Sequence, residues 1–225
     1  MCMGRVGAKP LGKVKIKWTA DFAYAIGLIV TDGNLSPDGR HINFTTKDHE
    51  QVLNFKNIFG LDNKIGKKSR DKEEKKKYFV IQFGDVLFYR FLSSIGIGPA
   101  KSKTLGSIKI PNKFFFHFLR GHFDGDGCTY SYFDPRWKSS YMFYTTFISA
   151  SKKHVDWLRE KINTLLGIKG HMTKSGNQSC YQLKYAKEES KKLLKKMYSG
   201  NKIYFLSRKR LKIQKMLGIV GEQLR

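Results

Sequence analysis

Acidic side chains are scarce in this chain. It carries 18 Asp plus Glu against 43 Lys plus Arg in 225 residues, a net charge of +25. An excess of that size concerns partners rather than fold, and the usual partner is a polyanion whose phosphates Lys and Arg neutralise. Long apolar runs are missing too. No stretch approaches the roughly 18 residues that a spanning helix needs. The start, Met1 to Lys13, has no signal-peptide core. No membrane partner is therefore expected. Cysteine is almost absent: Cys2, Cys128 and Cys180 are scattered without C-x-x-C spacing, and the six His include no H-x-x-x-H pair. That argues against structural zinc. It fits a reducing intracellular compartment, such as a bacterial or archaeal cytoplasm or an organelle matrix. A G-x-x-x-x-G-K-[ST] phosphate loop is also lacking, which removes the usual NTPases. Aromatic residues, by contrast, are plentiful. With 17 Phe, 11 Tyr and 40% hydrophobic residues, the chain can build a well-buried core of one large domain or two small ones.

The pattern along the chain repeats. Residues 1–17 read as a basic arm suited to contacting DNA. Thr19 is an N-cap for a helix through about Val30, with Phe22, Ala25, Ile26 and Ile29 on its apolar stripe. Gly33-Asn34 breaks it, Pro37-Asp38-Gly39 turns, and His41 to Thr46 alternates like a strand. A helix over 48–59 stops at Gly60. Lys64 to Lys77, with seven Lys and one Arg, reads as the basic tip of a hairpin completed by a strand at Tyr78 to Phe83. A helix over 85–95 follows. The order then recurs: Pro111 opens a helix, strands run over Tyr130–Phe133 and Tyr141–Ile148, and a helix covers 152–166. Short strands at 168–174 and 179–185 follow, then helices at 187–198 and 207–217. Each half reads helix, strand, strand, helix, strand, strand, helix. A period of roughly a hundred residues is too long for a solenoid and points to a duplication. The expected division is a first half over 18–108 with a linker at about 97–110, a second half over 109–218, and a tail at 219–225.

One motif occurs once per half: AIGLIVTDG from Ala25 to Gly33, and LRGHFDGDG from Leu119 to Gly127. In both, glycine is third and Asp-Gly closes the motif. Gly27 and Gly121 sit mid-helix, where glycine costs about 0.5–1 kcal/mol relative to alanine. Close approach of two helix backbones compensates for that cost. Two helices packed through these small faces bring Asp32 and Asp126 together at their C-terminal ends. Gly33 and Gly127 are expected to be left-handed helix stops. Two carboxylates at converging negative dipole ends raise each other's pKa. A divalent cation relieves this, and Mg²⁺ in particular takes few carboxylates and bridges to phosphates.

The two motifs resemble the signature of the LAGLIDADG homing endonucleases in their single-chain, two-motif form. The likeness runs from about Thr19 to about Leu217. The second copy is the closer one: Leu119, Gly121, Asp124, Gly125, Asp126 and Gly127 fit. In the first copy Ala25, Val30 and Thr31 depart, but Asp32 is kept. The resemblance implies an α+β fold of two pseudo-symmetric αββαββα halves, each with a curved antiparallel sheet lying in the DNA major groove, joined through the motif helices. It implies Asp32 and Asp126 as catalytic metal ligands for Mg²⁺, or for Mn²⁺ or Ca²⁺ at the same acids. It also places a basic residue after the third helix of each half. Lys101 or Lys103, and Arg208 or Lys209, stand there, with Lys101 and Lys209 preferred.

A two-stranded ribbon fits the major groove, and alternation sends every second side chain to one face. Candidates for the DNA face are Arg40, Asn43, Lys68, Arg70 and Gln82 in the first half. In the second they are Tyr130, Tyr132, Arg136, Lys138, Lys174, Gln178 and Lys184. Unlike halves in one chain are expected to read an asymmetric double-stranded DNA target as a monomer. The expected activity is site-specific, divalent-metal-dependent phosphodiester hydrolysis by an intron-encoded endonuclease. The alternatives are a maturase acting on its own intron RNA and a non-catalytic DNA-binding regulator of the same fold.

Overall fold

The computed structural model describes residues 12–69, 77–137, 140–174, 180–200 and 202–224. The chain is α+β. In the first half α1 (Ala20–Asp32), β1 (Gly33–Leu35), β2 (His41–Thr46), α2 (His49–Phe59), β3 (Gly66–Ser69), β4 (Lys77–Gly84) and α3 (Val86–Ser94) follow one another. In the second a single 3-10 turn at Asn112–Phe114 runs into α4 (Phe115–Asp126). Then come β5 (Cys128–Phe133), β6 (Tyr141–Ser149), α5 (Lys152–Leu166), β7 (His171–Lys174), β8 (Tyr181–Tyr185), α6 (Lys187–Met197) and α7 (Ser207–Ile219). Among the described residues eight strands form two antiparallel sheets, ordered β1-β2-β4-β3 and β5-β6-β8-β7. Among the described residues no helix is long and apolar enough to cross a membrane.

Local signals explain the element ends. The Thr19 hydroxyl accepts from Phe22 N at 3.1 Å and starts α1. The Asp85 carboxylate accepts from Phe88 N at 2.8 Å and starts α3. The other Asp85 oxygen accepts from the Lys13 and Val14 backbone N–H groups, and Val14 is buried. The described end of the basic arm is thus docked onto the fold; residues 1–11 lie outside the described residues. Gly60 and Gly167 end α2 and α5 in the left-handed conformation at φ 62° and 67°.

The sheets keep one face for the core. Along β2, Ile42, Phe44 and Thr46 are buried while His41, Asn43 and Thr45 are half-exposed, as strand alternation requires. Phe44 stacks on Phe55 of α2 at 4.3 Å between ring centroids. In the second half Phe143 and Phe147 of β6 and Leu183 and Tyr185 of β8 face inward onto α4, α5 and α6. The opposite sheet faces are left open. One continuous buried cluster joins both halves through α1 and α4.

Several expectations are corrected. The three-residue β1 follows α1 without a loop, and β7 and β8 are shorter than expected, starting at His171 and Tyr181. Gly33 and Gly127 are not left-handed: their φ values are −85° and −76°. They are required for space instead. A Cβ at Gly33 would lie 2.6 Å from Ile29 O, and one at Gly127 would lie 2.7 Å from Phe123 O.

Candidate active site

Every residue of α1 from Phe22 to Val30 is buried, and so is every residue of α4 from Phe118 to Asp124. The two helices pack against each other through Gly27 and Gly121. A Cβ at Gly27 would fall on Phe118 O and come within 2.6 Å of His122 N. A Cβ at Gly121 would fall on Tyr24 O and come within 3.2 Å of Gly27 Cα. Only hydrogen fits at either position, so the backbones touch. The contact continues to the helix ends, where a Cβ at Gly125 would meet the Thr31 side chain and lie 2.8 Å from an Asp32 carboxylate oxygen.

Asp32 and Asp126 consequently line one cleft of about 370 Å³, together with Thr45, Thr46, Lys47, Asp48, Gln51, Tyr78, Gly125 and Arg208. A second cleft, of about 300 Å³, opens on the other side of Asp126 between Val30, Thr31, Lys101, Ser102, Ile148 and Cys180. Both carboxyls are pushed above the usual aspartate range. Asp32 reaches about 7, through burial first and then the charge of Asp126. Asp126 is raised by burial, offset by Lys209 and Lys101. Burial is the largest cause for both, and the negative charge of Asp126 adds to the rise at Asp32.

Two lysines complete the centre. Lys101 is buried and its ammonium donates to Gly33 O, the carbonyl directly after Asp32. Lys209 donates to Gly127 O at 2.6 Å, directly after Asp126, and to Phe123 O at 2.6 Å and Gly125 O at 3.1 Å. Each half therefore sends one lysine to the carbonyls that close its own motif helix. Burial lowers both ammonium pKa values to about 8, against the pull of nearby carboxylates. Lys103 is exposed. Arg208, on the wall of the first cleft, forms a paired contact with Asp48, both nitrogens at 2.8 Å from its oxygens.

The donor set suits a hard divalent cation. Among the described residues no three His, Cys, Asp or Glu side chains come together, which does not suit zinc. Two crowded carboxylates with solvent access match the sparse oxygen ligation of Mg²⁺. Burial raises the pKa of both Asp32 and Asp126, and a bound cation would favour their charged forms.

The third acid of the second motif has another task. Asp124 is fully buried and accepts from Tyr24 O–H at 2.9 Å, Tyr198 O–H at 2.8 Å and Leu206 N at 2.8 Å. It ties α4 to α1 and to the segment before α7. Arg120, beneath it, donates to Met197 O at 2.7 Å and Tyr204 O at 2.8 Å. Val30, at the equivalent place in α1, is simply buried.

The open sheet faces flank this centre. Asn43 sits between Asn34 and Gln82 across neighbouring strands, and Lys68 pairs with Tyr78; all lie on the open face of the first sheet. Tyr130 and Tyr132, with Lys184, lie on the open face of the second. Arg40 stands at the turn before β2, over Gly84. Arg136 is held by Asp134 in the β5–β6 turn at 2.8 Å. Lys174 is a correction. Its register opposite Tyr181, two residues from Met172, puts it on the helix side of the sheet, exposed at the strand end. Arg70, Lys138 and Gln178 lie outside the described residues. Sequence reading missed Lys47, Tyr144 and Gln182. Continuing the alternation of β2 by one step, and applying it to β6 and β8, would have found all three.

No family model matches the chain, and no curated protein matches its sequence. Solved structures do match its fold. The chain is 16% identical to full-length DUF199/WhiA from Thermatoga maritima, with a TM-score of 0.57 over 92% of this chain and 62% of that one. It thus spans less than two thirds of that protein. The homing endonuclease I-WcaI, bound to its DNA recognition sequence, is 13% identical, with a TM-score of 0.58 over 87% of this chain and 88% of that one. I-DmoI in complex with DNA and Mn is 14% identical, with a TM-score of 0.51 over 81% and 98%. The chain has the two-half LAGLIDADG fold that these structures share.

Proposed function

We propose that the protein is a member of the LAGLIDADG group that binds double-stranded DNA on its two open sheet faces and hydrolyses one phosphodiester on each strand at the Asp32–Asp126 centre. The observation that carries this is the two-fold arrangement of that centre, in which each motif acid has a lysine anchored on the next carbonyl of its own half. The net charge of +25 supplies the attraction to a polyanion. I-WcaI bound to its recognition sequence and I-DmoI with DNA and Mn support the partner and the ion class by likeness of fold.

Asp32 and Asp126 would hold Mg²⁺ or a similar ion, which supplies charge neutralisation on the transferring phosphoryl oxygens. Anchored on Gly33 O and Gly127 O, Lys101 and Lys209 keep a positive charge beside the acids and the incoming backbone phosphates. At pKa values of about 8 they are cationic at neutral pH yet able to exchange a proton. Lys47 and Arg208 add positive charge on the first-half side of the same cleft.

A randomised duplex library ligated after incubation with protein and Mg²⁺ tests this. Adapter capture of cut ends is expected to return one asymmetric motif, absent without the ion. Enrichment of bound duplexes with no cut ends would instead establish a DNA-binding regulator that keeps the fold without the chemistry.

A further inference from the structure

The open face of the second sheet carries a feature that the first sheet lacks. Tyr130 of β5 and Tyr144 of β6 are directly opposed across the ladder. Their rings are parallel within 12° at 4.8 Å, and Tyr132 continues the stack on Tyr144 at 6.4 Å and 12°. Tyr130 and Tyr132 remain 40% and 43% exposed. Met142 stands opposite Tyr132 on the same face. The corresponding face of the first sheet presents Asn34, Asn43 and Gln82 in one cross-strand row.

We propose, resting on the DNA-binding reading above, that the stacked Tyr130–Tyr144–Tyr132 row is a specificity element that reads the 5-methyl groups of pyrimidines in the major groove of one half-site. A contiguous exposed aromatic strip on a soluble surface marks a binding surface. Its occupant is set by position and charge. Cys128, the first residue of β5, follows Gly127 directly, so the row runs outward from the acid centre that the DNA would straddle. Lys184 on the same face belongs to the strand next to β6. Within the major groove the methyl of thymine, or of 5-methylcytosine, is the one apolar mark on a base-pair edge. The phenol hydroxyls donate and accept equally and so discriminate little between base edges. The ring walls discriminate by burying a methyl. Stacking holds the rings in place beforehand, so little side-chain freedom is lost on binding. Two residues along a strand advance about 6.6 Å, close to two base steps of 3.4 Å. The row therefore spans two to three consecutive base pairs.

The test uses duplexes selected by the full chain from a randomised library in Ca²⁺, with thymine then replaced by deoxyuracil one position at a time. Deoxyuracil removes the methyl and leaves pairing intact. Two or three neighbouring positions in one half-site are expected to lose about fourfold in affinity each, the value of one buried methyl group. The other half-site is expected to be indifferent. Tyr144→Ala is expected to abolish the thymine-over-uracil preference and Tyr144→Phe to keep it, with thermal melting confirming that both variants fold. Uniform indifference to deoxyuracil, or a preference that survives Tyr144→Ala, overturns the assignment. Failure to enrich any duplex overturns the DNA reading itself, and this inference with it.

Discussion

The two halves of the molecule agree at a few positions and differ almost everywhere else. Asp32 and Asp126 each end a motif helix, Gly27 and Gly121 each let that helix touch its twin, and Lys101 and Lys209 each grip the carbonyl after the acid. Three residues before Gly27 and Gly121 the likeness has already failed, with Tyr24 in α1 and Phe118 in α4. Val30 packs where Asp124 makes three hydrogen bonds. The cross-links between halves differ as well. The first half's connecting segment reaches α5 through neutral groups, Ser151 donating to Leu105 O and the His154 ring meeting Gly106 O. The second half's segment reaches α2 through charged groups as well as neutral ones, Arg208 with Asp48 and Ser207 with Glu50 beside Asn54 donating to Phe205 O. Under the proposed function, chemistry on two strands would demand equivalence only at the acids, their lysines and the helix contact. Packing can be solved by apolar or polar means.

The helix contact gives the largest expected effect. Gly27→Ala and Gly121→Ala each place a methyl against backbone that cannot yield, and each is expected to cost about 3 kcal/mol or more in urea denaturation. Equal losses confirm that the halves share this requirement; a small loss in either breaks the symmetry. Next comes the Val30–Asp124 difference. Asp124→Ala strands two tyrosine hydroxyls and the Leu206 N–H, and about 3 kcal/mol of destabilisation is expected. Val30→Ala removes only buried methyl groups and is expected to cost roughly half as much. Comparable costs would mean that the polar latch is no stronger than apolar packing.

The acid pair makes a pH prediction. Asp32 titrates near 7 in the folded chain, well above its value when unfolded. Between about pH 4 and pH 7 the folded chain binds a proton that the unfolded chain has released, so this group's contribution to stability falls as pH rises. Asp32→Asn cannot ionise and escapes that fall. Its melting temperature is expected to match wild type near pH 4 and to exceed it increasingly up to pH 7. A difference that stays flat with pH contradicts the raised pKa of the buried Asp32. The smallest expected effect belongs to the exposed Arg208–Asp48 pair between the halves: Arg208→Ala is expected to cost about 0.2–1 kcal/mol in denaturant, as surface ion pairs do.

Much of this was legible in the sequence. Thr19, Gly60 and Gly167 announce their helix ends because capping is local. The strand faces follow from alternation, and the fold class from the repeated element order. The Lys101 and Lys209 positions depended on resemblance rather than spacing, since Lys is abundant throughout. Lys174 was misplaced because its charge suggested the DNA face, whereas alternation with Ile168 and Met172 puts it on the inner one. Asp124's role was illegible because its partners, Tyr24, Tyr198 and Leu206, are far away in sequence. The Gly33 and Gly127 conformations were misjudged because a helix feeding straight into a strand needs an extended residue, and glycine there answers to crowding by the preceding turn.

Under the proposed function, both acids serve one metal-dependent centre. Its most direct test is strand-resolved cleavage of a selected duplex with Mg²⁺ by wild type, Asp32→Asn and Asp126→Asn, alongside gel-shift binding in Ca²⁺. Wild type is expected to cut both strands, and either variant to leave the duplex without double-strand breaks while still binding it. Wild-type double-strand cleavage by either variant would contradict that function.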